Sequence, residues 1–138
     1  MQRFIKVTIA IATVIGSAVI ASGTAVAATP DTPACNFGSS SGNVDTCANV
    51  ISGPRVTATA TIVTTGQARK LLVCVQEPSG ILGACSDGDK YEQVNPGHGI
   101  DAVYPSNGSA SAGRYCADTW RLNSDGTSAM IGQACKQV

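Results

Sequence analysis

A chain of 138 residues with nine Lys and Arg against nine Asp and Glu has no formal net charge at pH 7, and no basic tract longer than Arg69-Lys70 that would suit a nucleic-acid surface. It holds six cysteines, 15 glycines and a single histidine, with only 13% charged and 4% aromatic residues. Those figures exclude a multidomain protein and a histidine-rich metal centre, and the even cysteine count points to a disulfide framework.

The chain opens with a positive stretch containing Arg3 and Lys6, then an uncharged apolar run from Val7 to Ile20, then Thr24-Ala25-Val26-Ala27. This is the layout of a secretion signal peptide, residues 1–27, with cleavage before Ala28 or one step later. The apolar run is short for a membrane span of roughly 20 residues. The expectation is a secreted, extracellular protein with a single domain over residues 28–138 and no membrane contact after cleavage. Arg3 and Lys6 leave with the signal, so seven Lys and Arg then face nine Asp and Glu, a formal net charge of −2. Leu, Ile, Val and Phe make up fewer than a fifth of residues 28–138. Three disulfides, each contributing roughly 2–4 kcal/mol, would make up for so thin a core.

Residues 28–34, with Pro30 and Pro33, read as an extended lead-in. Cys35-Asn36-Phe37 opens a first strand, residues 38–43 form a Gly/Ser-rich loop, and Asp45 to Ile51 is the return strand. Val56 to Ile62 alternates apolar residues with threonines, and Lys70 to Gln76 is apolar on both faces. A turn on Thr65-Gly66 would pair these two as a central hairpin, with Val56 opposite Val75, Ala58 opposite Val73 and Ala60 opposite Leu71. Shorter strands follow at Ile81 to Ser86, Tyr91 to Val94 and Ile100 to Tyr104, each bounded by Gly, Pro, Asn or Asp. Gly113 to Leu122 and Ser128 to Lys136 make a last hairpin. The fold class expected is all-β, a small antiparallel sandwich of Ig-like or Greek-key type with about seven to eight short strands and three disulfides.

Six cysteines can pair in fifteen ways. Consecutive ones share a property: each pair falls at directly opposed positions of a hairpin. A turn on Asp125-Gly126 sets Cys116 across from Cys135, Asp118 from Gln133, Trp120 from Ile131 and Leu122 from Ala129. A loop over residues 78–81 sets Cys74 across from Cys85, and Cys35 and Cys47 flank the loop at Ser41. Opposed residues lie within disulfide range, so the expected pairs are Cys35–Cys47, Cys74–Cys85 and Cys116–Cys135. The face carrying Cys116, Asp118, Trp120 and Leu122 is expected to be buried, and the face carrying Tyr115, Thr119, Arg121, Ser128 and Met130 to meet water.

This layout resembles small secreted, disulfide-stapled β-sandwich proteins of actinobacteria, which have a similar signal, Thr/Ala-rich first strands, a Val-Cys-Val type central strand such as Val73-Cys74-Val75, and a closing cysteine near the C-terminus. The resemblance implies a fold and no activity. Immunoglobulin domains place a tyrosine two residues before a cysteine. Here Tyr115 is adjacent to Cys116 and points to the opposite face.

Chemistry is sparse. His98, in Asn95-Pro96-Gly97-His98-Gly99, has no recognisable nucleophile or orienting acid. Asp87, Asp89 and Glu92 have a faint calcium spacing that a solvated turn also explains. Trp120-Arg121-Leu122, beside a disulfide-closed turn, is similar to the Trp-Arg-aromatic triplet of small α-amylase inhibitors of the tendamistat type, with Leu122 in place of the aromatic. Trp120 and Arg121 are therefore the candidate interaction residues. No catalytic residue, cofactor or metal ligand is expected. The function expected is a secreted, non-catalytic binding or structural module for an extracellular protein or cell-wall ligand. The alternative is an inhibitor of an extracellular hydrolase.

Overall fold

Two apolar rows decide the architecture. Val56, Ala58, Ala60 and Ile62 alternate with polar neighbours, Leu71, Val73 and Val75 repeat at the same period, and all seven are fully buried. In the computed structural model, which describes residues 32–38 and 42–138, both rows enter one core between two antiparallel sheets. The expected signal peptide, residues 1–27, and most of the expected lead-in before β1 lie outside the described residues.

The four-stranded sheet has the order β1 (Ala34–Asn36), β2 (Val44–Ile51), β3 (Arg55–Ile62) and β7 (Gly99–Tyr104). The second sheet places β5 (Leu82–Cys85) beside β4 (Arg69–Gln76), then β8 (Arg114–Leu122) and β9 (Ser128–Gln137), with β6 (Glu92–Val94) also paired to β4. Among the described residues nine strands form, close to the seven to eight expected, and two short ones share one edge of β4. β5 pairs the end of β4 and β6 pairs its start. Between them the chain leaves the sheet in a short 3-10 turn at Ser86–Gly88. The buried Ser86 hydroxyl accepts the Val73 N–H at 3.3 Å, so the gap leaves no orphan donor there.

The expected hairpin between β3 and β4 does not form. β3 pairs with β2 and β7, and β4 with β5, β6 and β8. Residues 63–68 carry the chain from one sheet to the other. Val56, Ala58 and Ala60 do share a core with Leu71, Val73 and Val75, across the sandwich instead of side by side. A thin Ala-rich row on β3 is better covered by the larger side chains of a facing sheet than by neighbours in its own plane.

The face expected to be buried on β8 is also inverted. Ala117 stands opposite Val75 and Thr119 opposite Val73, so β4 draws Tyr115, Ala117 and Thr119 into the core, where all three are buried. Cys116, Asp118 and Trp120 take the outer face. There Cys116 and Asp118 are buried all the same, with the Gln133 side chain donating to the Asp118 carboxylate at 2.8 Å.

Two compensating irregularities shape the β8–β9 hairpin. Gly126 alone in the turn has positive φ, +88°, and its N–H donates to the Asn123 carbonyl at 3.0 Å. The turn is therefore a three-residue loop of type I with a following glycine, not a two-residue turn on Asp125-Gly126. Trp120 consequently faces Met130, Arg121 faces Ala129 and Leu122 faces Ser128. A bulge between Thr119 and Trp120 then restores the expected register, with Asp118 opposite Gln133 and Cys116 opposite Cys135. The extra residue, Ile131, packs against the core.

Disulfides join Cys35 to Cys47, Cys74 to Cys85 and Cys116 to Cys135, each between directly opposed residues. Among the described residues no helix is long and apolar enough to cross a membrane.

The sheets meet at a polar contact. Thr46 and Thr119, both fully buried, bring their hydroxyls to 2.7 Å across the core. A Cβ at Gly132 would lie 3.1 Å from the Thr46 Cβ, so the glycine makes room for this pair. Thr119→Val alone strands the Thr46 hydroxyl and is expected to cost about 1–3 kcal/mol in urea unfolding. Replacing both by valine is expected to cost clearly less than the sum of the single changes.

Candidate functional site

The β4–β8 ladder ends at the Leu71–Arg121 pair. Before Leu71, β4 is held on its other side, with Arg69 opposite Val94 and Lys70 opposite Gln93. On the β8 side the chain turns away into residues 123–127. The opening left between the start of β4 and the end of β8 is a cleft of about 620 Å³, within the roughly 300–1,000 Å³ of small-ligand sites. Arg69, Lys70 and Arg121 line it together with Gln93, Asn123 and Ser124, and Leu122 and Ala68 supply apolar wall.

The walls are held in place. Arg121 donates from Nε to the Asn123 side-chain carbonyl at 2.9 Å, which orients its guanidinium. Asn123 in turn donates to the Thr127 hydroxyl at 3.0 Å. The Asp125 carboxylate accepts the Thr127 amide at 2.9 Å and the Thr127 hydroxyl at 2.6 Å. Arg69 packs its guanidinium over Gly42, whose φ is +79°; a Cβ there would come within 2.5 Å of Nη2. The Arg69 Nε is buried without a hydrogen-bond partner.

The two bonds from Thr127, the side-chain one above all, hold the Asp125 carboxyl below the ordinary aspartate range. Because the folded value is depressed, the turn's contribution is present above the unfolded aspartate value and is lost as pH falls through the folded one. A carboxyl-carbon NMR titration is expected to place the Asp125 midpoint below that of an exposed aspartate, and Thr127→Val to return it towards that value.

On the outer face of the five-stranded sheet, Leu72 stands beside Trp120 and Trp120 beside Met130. Leu72 and Trp120 are half-buried and Met130 is 48% exposed. This apolar row leads through Leu122 into the cleft. Trp120 is thus neither the core residue expected nor a fully exposed one, and its Nε1 is buried without a partner. Arg121, expected to meet water, is half-buried and lines the cleft.

The structure separates the other candidates. His98 is exposed in the loop before β7, outside the cleft lining, and its backbone carbonyl accepts the Ile62 N–H at 3.0 Å. Asp87 and Asp89 are exposed on the excursion between β5 and β6 while Glu92 lies on β6. Among the described residues no three His, Cys, Asp or Glu side chains gather as a cation cluster. Gln93, Asn123 and Ser124 were not singled out by sequence, and Arg69-Lys70 appeared there only as an isolated basic pair. Comparison of the chain with protein-family models, with curated proteins and with solved structures finds no match.

Proposed function

We propose that the chain is a secreted, non-catalytic binding module that takes an extracellular or cell-wall ligand in the cleft between the start of β4 and the end of β8. The observation that carries this reading is a ligand-sized opening with rigid walls, where hydrogen bonds fix the turn and a cross-strand disulfide ties β8 to β9. Three disulfides suit export to an oxidising compartment. A preorganised site loses little entropy on binding.

The inhibitor reading draws on one observation of its own: Trp120-Arg121-Leu122 runs into the clamped turn at residues 123–127. A single experiment separates the two. The secreted, oxidised protein is immobilised and exposed to washed cell wall and culture-supernatant polysaccharide, and in parallel is added in stoichiometric amounts to secreted amylases and proteases. Retention of wall material by the oxidised but not the reduced protein is expected. Stoichiometric inhibition of a hydrolase would favour the second reading, and a hydrolytic activity abolished by His98→Ala would overturn both.

A further inference from the structure

We infer that the cleft is an oxyanion site, and that its ligand is an acidic glycan whose carboxylate or sulfate group sits between Arg69, Lys70 and Arg121. The inference rests on the binding-module reading and supplies the chemistry of the ligand. Residues 28–138 contain seven Lys and Arg against nine Asp and Glu, yet three of those seven cations line one cleft that has no acid in its lining. Among the described residues, no ion pair engages any of the three. Of the two acids nearest in sequence to the cleft walls, Glu92, opposite Leu71 on β6, is not part of the lining, and the Asp125 carboxylate is taken by Thr127. Like charges brought together without a counter-charge repel one another, which an incoming anion relieves.

The details fit an oxyanion. Asn123 occupies only the Nε of Arg121, leaving the outer edge of a planar fork that matches a carboxylate or sulfate. Arg69 is held over Gly42 with its Nε buried and unpartnered. Amide and hydroxyl side chains, Gln93, Asn123 and Ser124, are interspersed with the cations and can serve the hydroxyls of a sugar. The excess of acids elsewhere argues against a diffuse attraction for polyanions, so binding at this cleft is local.

The test is calorimetric titration of the secreted, oxidised protein with an oligogalacturonate, a sulfated oligosaccharide, a neutral malto-oligosaccharide and a single-stranded oligonucleotide. Binding of an acidic oligosaccharide and none of the neutral one is expected, and whichever anion binds more tightly identifies the group. Arg121→Gln and Arg69→Gln are each expected to weaken binding about tenfold, Lys70→Gln, on an exposed side chain, to weaken it less, and Arg114→Gln to leave it unchanged. Gly42→Ala, which displaces the Arg69 guanidinium, should behave as Arg69→Gln does. Three results would overturn the inference: no acidic oligosaccharide binds, the oligonucleotide binds as tightly, or Lys70→Gln and Arg114→Gln weaken binding equally. If no acidic oligosaccharide binds while cell-wall retention is unaffected by Arg121→Gln, the oxyanion site falls and the binding-module reading stands; loss of both removes both.

Discussion

Tyr115→Ala is expected to lower folding stability by about 3–5 kcal/mol, a large share of the roughly 5–15 kcal/mol that holds an ordinary domain together. Tyr115 is 1% exposed and has the largest volume of the fully buried side chains. Its ring packs against Tyr104 with centroids 6.0 Å apart, and its hydroxyl donates to the Ser111 carbonyl at 3.0 Å. Removing the ring opens a cavity beside Tyr104 in a close-packed core that relaxes only partly into it. Tyr115→Phe keeps the ring and loses the bond to Ser111, for an expected cost of about 1 kcal/mol. Urea unfolding of the two variants separates packing from hydrogen bonding. If Tyr115 faced water, both changes would fall within about 0.5 kcal/mol of wild type.

The second large effect belongs to the closing disulfide. Cys116→Ala combined with Cys135→Ala is expected to cost about 3 kcal/mol, mostly by freeing the unfolded chain. These cysteines are 19 residues apart, against 11 for Cys74–Cys85, so chain entropy ranks the closing bridge above the central one by roughly half a kcal/mol. The bridge has a second role, because with Cys74–Cys85 it flanks the buried Asp118 on the outer sheet face. Thermal unfolding of the two double-alanine variants gives the comparison, and a closing-bridge variant as stable as wild type would remove the entropic explanation.

Local signals were legible in the sequence and pairings between distant segments were not. The strands, their punctuation by Gly and Pro, and the opposed cysteines follow from period-two alternation and turn chemistry, which act over a few residues. That Val56, Ala58 and Ala60 share a core with Leu71, Val73 and Val75 also follows from alternation. Whether they meet in one sheet or across two depends on competitors, and β7 and β8 are the better partners. The buried face of β8 is undecided by its own residues for a related reason. Its own residues are ambiguous, with Trp120 and Leu122 on one side and Tyr115 and Ala117 on the other. The choice is made by register against β4, which lies about 45 residues away in the chain.

The cleft was illegible for the same reason. Arg69 and Lys70 stand out as a basic pair and Arg121 as the middle of a triplet, but only the β4–β8 ladder brings them to one opening. The bulge at Ile131 matters too. It compensates for the three-residue turn, which sets Trp120 against Met130 where a two-residue turn on Asp125-Gly126 would set it against Ile131 and give the apolar row leading to the cleft a different edge. Bulges reflect a mismatch between turn length and strand register, and such a mismatch becomes visible only once the three-residue turn ending at Gly126 is known.

An amide chemical-shift map of the isotopically labelled, oxidised protein, recorded as an acidic cell-wall polysaccharide is added, tests the proposed binding end most directly. Saturable shifts confined to residues 68–70, 93 and 121–126, absent in the Arg121→Gln variant, are the expected result. Shifts centred instead on the threonine face of β3, at Thr57, Thr59 and Thr61, or no saturable shift at all, would contradict a binding site between the start of β4 and the end of β8.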